Sequence, residues 1–198
     1  MVCKHYTNKL ISLLKAKTMK KSVLTFIGII WLSAAISSMA IDQSPKAVEK
    51  WFKSLPQRHE KVTKLHFYFH RLGGSAATIA KANTATPNSF GLTVMRDDPL
   101  TVGPDISSAR IGYAQGMSST VSLEEVVLVD YFTLSFTDGS TLAVLGSNAI
   151  FHQYRELPIV GGTGAYRLAR GVITFQTYFF NPTTREASIQ ADGLVFHY

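Results

Sequence analysis

An all-β domain is the fold class that the 198-residue sequence predicts, and three observations predict it. Short runs rich in β-branched and aromatic residues recur from residue 62 to the end; turn-forming clusters separate them; and only one short stretch, Ser44 to Leu55, carries a helical pattern. Many short strands with turns between them must bury their apolar faces against one another, which leaves a sandwich or a closed barrel.

Taken in order, residues 1–40 hold six lysines and no acidic residue. Met19-Lys20-Lys21, the apolar run Val23 to Ile36 and the small-x-small pattern Ser38-Met39-Ala40 predict a secretory signal cleaved after Ala40. A retained signal anchor is the alternative, against which Ser33, Ser37 and Ser38 weigh. Met19 is a second plausible start, so residues 1–18 carry no functional reading. Residues 41–61 form a lead segment, with Trp51, Phe52 and Leu55 as the apolar patch of its helix.

The domain proper spans 62–198. Lys64 to His70 reads as an aromatic-rich strand, and Ser75 to Ala85, rich in Ala and Thr, as a loop. Asp97-Asp98 precedes Pro99 and reads as a turn, since adjacent carboxylates on a strand would face opposite ways. Glu125 to Phe136 and Thr141 to Leu145 flank Asp138-Gly139, the dipeptide of a tight hairpin. Gly161-Gly162-Thr163-Gly164 reads as a turn or bulge. Gly171 to Phe180 and Ala187 to Tyr198 flank the turn Asn181-Pro182-Thr183-Thr184.

Composition removes several functions. The net charge of +7 rests on the N-terminus: of 20 Lys and Arg, six lie in residues 1–40, which leaves 14 basic against 13 acidic residues after that point. A nucleic-acid-binding domain is therefore not expected. Cys3 is the single cysteine, so the mature chain would have no disulfide, and no Asn-x-Ser/Thr acceptor occurs.

The Gly161–Gly164 run lacks the Lys-Ser/Thr of a phosphate loop. His66 and His70 on a strand stand about 13 Å apart, too far to share one ion. No nucleophile elbow, metal-ligand cluster, flavin motif or haem attachment sequence is present, so no cofactor is expected.

Nine blocks in one order then resemble the plant dirigent proteins. They are His66 to His70 (HFYFH), Met95 to Thr101 (MRDDPLT), Gly103-Pro104-Asp105, Ala114-Gln115-Gly116, Gly139 to Gly146 (GSTLAVLG), Arg155-Glu156-Leu157-Pro158, Val160 to Gly164 (VGGTG), Arg167 to Gly171 (RLARG) and Val195 to Tyr198 (VFHY). The resemblance implies an eight-stranded antiparallel β-barrel, allene oxide cyclase-like or calycin-like, assembled as a homo-oligomer, a trimer or dimer, in the extracellular apoplast. It also implies phenolic partners, monolignol radicals or related molecules, made by an external laccase or peroxidase, whose coupling the protein orients without oxidising them itself.

The family pattern places substrate-pocket positions at Arg155, Arg71, Asn148 and Ser118, and Gln115 of the Ala-Gln-Gly block is a further candidate. The sequence departs from the pattern at several of these positions: Arg71 replaces one Asp of the lignan-forming members, Asn148 replaces a second, as in many members outside that group, and Ser118 replaces an aromatic. Strand alternation puts Leu65, Phe67, Phe69 and Arg71 on one face, and His66, Tyr68 and His70 on the other. If the first set lines the lumen, Phe67 and Phe69 are walls for a phenolic ring and Arg71 is a donor to its oxygen; plain core with a snorkelling Arg71 is the alternative. Arg155 has an alternative as well, a structural ion pair with Glu156 or Glu125.

Three functions stay open: a non-oxidising stereochemical guide; a cyclising dehydratase acting on a quinone methide, like the pterocarpan-forming dirigent proteins; and a plain binder of phenolics in the cell wall. Loss of both pocket carboxylates weighs against acid-assisted chemistry.

Overall fold

The computed structural model describes residues 41–83 and 85–198. The expected signal and its cleavage after Ala40 lie outside the described residues.

Among the described residues nine strands follow one α-helix: α1 (Pro45–Lys53), β1 (Lys61–Arg71), β2 (Ala76–Ala80), β3 (Thr93–Thr101), β4 (Arg110–Thr120), β5 (Val127–Phe136), β6 (Thr141–Ala149), β7 (Arg155–Thr163), β8 (Arg170–Phe180) and β9 (Ala187–His197). They pair antiparallel in the order β1-β9-β8-β7-β6-β5-β4-β3-β2, and a second pairing of β1 with β3 closes the sheet. The result is a closed eight-stranded antiparallel barrel, with β2 added outside the ring on the free side of β3. Closure removes the exposed edges that an open sheet of this length would present.

The strands alternate as half-buried strands must. Phe67 and Phe69, Leu100, Leu134, Leu142 and Val144, and Leu157, Ile173 and Val195 point inward and are buried. Each contributes on the order of 1.5–3 kcal/mol by leaving water. The hairpin between β5 and β6 turns at Gly139, whose φ of +81° a side chain would strain. Ser44 caps α1 by accepting from the amide of Ala47, and Trp51 of the helix lies between the guanidiniums of Arg58 and Arg167, 5.4 and 5.5 Å from the ring centre. Ile41 and Gln43 donate to the carbonyls of Asp138 and Gly139, so the lead segment sits at the end of the barrel that holds that turn.

Two sequence expectations need correction. The stretch Ser75 to Ala85 contains a strand, β2, which is exposed along its length but pairs with β3. Asp97-Asp98 lies inside β3, opposite Gln115 and Ala114 of β4, and makes no turn. Turn formers occur there because β3 is only partly paired on its other side: β2 covers Thr93 to Arg96 and β1 covers Leu100 and Thr101, leaving Asp97 to Pro99 between them. The missing N–H of Pro99 costs nothing in such a gap.

Candidate ligand cavity inside the barrel

At the end of the barrel where β1 stops and β7 begins, the interior widens into a cavity of about 650 Å³. That is within the range of small-molecule sites. Its upper walls are mixed, with an apolar part from Leu92, Val94, Ile150, Phe151 and Phe180 at loops and strand ends, and Leu128 and Ile189 deeper. Its deep wall is polar because five strands deliver one inward side chain each at the same level: Arg71, Arg96, Ser118, Asn148 and Arg155.

Below them lies a chamber of about 20 Å³, room for roughly one oxygen-sized group. Arg71, Asn148 and Arg155 line both spaces, and Asp130 joins them in the lower one. Phe69, Phe132 and Phe175 form its floor, packed edge to face about Phe69 at 5.6 and 5.1 Å.

The polar groups are only partly matched. Asp130, fully buried, accepts from the Ser118 hydroxyl and, at 2.6 Å, from Nδ2 of Asn148. Arg155, also buried, donates through Nη1 to the carbonyl of Ile150 at 2.7 Å and to Oγ1 of Thr177 at 2.9 Å. Its Nε and Nη2 find no hydrogen-bond partner among the described residues; neither do Nε of Arg71, Nε of Arg96 or Oδ1 of Asn148. Buried polar atoms of this kind, four donors and one acceptor, are costly unless something meets them.

Asp98, behind Arg71, accepts from Ser75 at 2.6 Å, with Nε of Arg71 at 3.7 Å. Burial pushes its carboxyl above the usual range, outweighing Ser75, Arg71 and Arg96, which pull the other way. Burial, and after it repulsion by Arg71, lowers the affinity of both Arg96 and Arg155 for their protons.

Of the residues expected at the site, Arg71, Ser118, Asn148 and Arg155 are brought together at the cavity, and Phe69 lies beneath it. Phe67 is packed in the core below that level, against Phe69 and Phe136. Gln115 does not reach the cavity: it sits on the outer face of β4, where its amide oxygen accepts from Ser135. Odd and even residues of a strand part company, and Ser118 and Gln115 differ by three. The ion pair of Arg155 with Glu156 or Glu125 does not form; Glu125 meets His152 at 3.2 Å instead.

Asp98, which the sequence reading placed in a turn, and Asp130, which it passed over, both stand inside the barrel. The two Asp of the lignan-forming pattern are absent at positions 71 and 148, but Asp130 puts a carboxylate in the lower chamber. The signal for Asp130 was available: one carboxylate in phase with Leu128, Phe132 and Leu134 on a strand's apolar face.

Comparison with known proteins agrees with this architecture. The family model described as dirigent-like protein matches residues 62–196. Dirigent protein 21 of Arabidopsis thaliana is 40% identical over 148 residues, 70% of this chain and 78% of that protein. Pterocarpan synthase 1 of Glycyrrhiza echinata is 43% identical over 152 residues, 71% of this chain and 81% of its own length. A solved structure of a pterocarpan synthase dirigent protein superposes with a TM-score of 0.66 at 41% identity, covering 71% of this chain and 87% of the other.

Proposed function

The chain belongs to the dirigent-like protein family, and from that premise we propose that its cavity holds a phenolic intermediate and fixes the face on which the next bond forms. The observation that carries this reading is the layered site: apolar walls that accept an aromatic ring, above converging donors with open valences that can hold its oxygen. Holding one encounter geometry favours one product without an activated nucleophile. The radicals come from a separate laccase or peroxidase, monolignols such as coniferyl alcohol being the reference phenols. The protein is secreted and works as a homo-oligomer outside the cell.

The test is chiral chromatography of the coupling products of coniferyl alcohol and laccase, with and without the purified protein. One enantiomer should be enriched only when the protein is present, and the protein alone should leave the alcohol unconsumed. A racemic product across a panel of phenols would overturn the reading.

A second reading, loss of water from a phenol bearing a benzylic hydroxyl to give a quinone methide, which an internal phenol then closes on, is favoured by the likeness to pterocarpan synthases and by Asp130. Ser118 lines the cavity and donates to Asp130, so the pair offers a short route for a proton. A phenol bearing a benzylic hydroxyl should then be dehydrated without oxidase, and Asp130→Asn should abolish that turnover.

A further inference from the structure

The cavity lining contains four guanidiniums, Arg71, Arg96, Arg155 and Arg185, and neither an Asp nor a Glu. Two buried carboxylates stand behind this wall, Asp98 against Ser75 and Arg71, and Asp130 against Ser118 and Asn148. Four formal positive charges against two negative leave an excess of two. The excess is local, since residues 41–198 as a whole are nearly neutral, with 14 basic against 13 acidic side chains once the six leading lysines are set aside from the 20 Lys and Arg.

Burial should penalise such a cluster, and it does: Arg96 and Arg155 each hold their protons less tightly than a free guanidinium, through desolvation first and Arg71 second. Nε of Arg71, Nε of Arg96, and Nε and Nη2 of Arg155 also lack acceptors among the described residues. A wall with surplus positive charge and surplus donors is complementary to an anion with several acceptor lone pairs.

We infer that the phenolic ligand of this cavity is an aromatic acid, a hydroxycinnamate-class anion whose carboxylate faces the Arg71, Arg96 and Arg155 wall while its ring lies against the apolar walls. This rests on the phenolic reading above and names the class of molecule within it. A carboxylate fits better than a phenolate on two counts. It is ionised at any pH above about 4, whereas a phenol must be stripped of a proton with a pKa of about 10. It also offers two oxygens to the planar fork of a guanidinium, which a single phenolate oxygen cannot match.

The experiment is calorimetric titration of the full protein with three probes on one skeleton: 4-hydroxy-3-methoxycinnamate, its methyl ester, and coniferyl alcohol. The acid should bind about tenfold tighter than either neutral probe, an advantage that added salt should erode. Arg96→Gln should cut that advantage about tenfold, and Arg185→Gln, at an exposed position where folding is not at stake, about threefold.

Equal affinity for acid and alcohol, or an advantage unchanged in both variants, would overturn the inference. Binding of the alcohol without the acid would remove the inference and leave the phenolic cavity standing. Binding of none of the three would remove both. Cinnamate without the phenolic hydroxyl, bound as tightly as the hydroxylated acid, would keep the anion wall and remove the phenol.

Discussion

Asn148 donates to a carboxylate that is fully buried, and this one amide decides what residue 130 can be. With Asp in place of Asn148, two carboxylates would face each other across a 2.6 Å contact, and both could not remain ionised. Asn148→Asp is therefore expected to destabilise the protein by about 1–3 kcal/mol at neutral pH. The pair's shared proton raises a folded-state pKa above the unfolded value, so the loss should shrink as pH falls towards about 4. Chemical denaturation of both proteins at pH 7 and pH 4.5 checks this, and a loss that is the same at both would refute it. Arg155→Ala removes the hydrogen bonds to Ile150 and Thr177 and should cost about 2–3 kcal/mol along with any stereoselectivity. Arg155→Lys should keep most of the stability and lose the selectivity, because an ammonium lacks the fork; thermal unfolding beside product chirality separates the two effects. At this scale the sequence was only partly legible: alternation assigns a face to Arg71 or Asn148, but not the depth at which Asp130 sits or which partner it meets.

At the scale of the element, the barrel's weakest join is the seam between β1 and β3, where only Tyr68–Thr101 and Phe69–Leu100 pair. Side chains reinforce it. His70, buried on the outer face of β1, meets Oγ1 of Thr101 at 2.6 Å, and that hydroxyl donates onward to the carbonyl of Gly103 at 2.7 Å, so Nε2 of His70 is the donor. Burial holds the imidazole below its ordinary pKa of 6.5; Arg110 adds to this and Asp105 opposes it. The unfolded chain thus binds the proton more readily than the folded one, so the stability contributed by neutral His70 is complete above about pH 6.5 and is lost as pH falls below it. His197, also lowered mainly by burial, adds a parallel loss. His70→Gln keeps a donor towards Thr101 and cannot titrate, so its melting temperature should fall less than that of the wild type between pH 7.5 and 5; identical slopes would refute the role given to His70. Strands and hairpins such as β5 and β6 were legible because alternation and Asp138-Gly139 are local signals. The identity of β3 was not, because the gap that tolerates Asp97-Asp98-Pro99 is created by β1 and β2, which pair with it from distant parts of the chain.

For the whole molecule, closing the barrel satisfies the backbone but leaves an apolar stripe on its outside. Met95, Met117, Tyr131 and Leu145 are direct neighbours across β3, β4, β5 and β6, and all four are exposed. At ~4.8 Å between strands they form a row about 14 Å long, extended by exposed Val129 and Tyr113 on the same face. Their alternation with inward residues was readable from sequence; that they fall into register with one another was not, since register depends on how four strands slide. A row of Met, Tyr and Leu without a charged member is what the core of a homo-oligomeric contact requires, and a copy-to-copy interface here would have to bury upwards of about 1,000 Å² to persist. The proposed homo-oligomer would therefore make its contact at this stripe. Sedimentation velocity at micromolar concentrations should give a dimer or trimer for the chain from Ile41 onward, while Met117→Lys and Tyr131→Glu, separately, should shift it to monomer and lower its melting temperature. The cavity lining comes from one chain, so binding of phenolic probes should survive in the monomeric variants. A wild-type monomer at these concentrations, or oligomers indifferent to both substitutions, would mean that the stripe is not the contact.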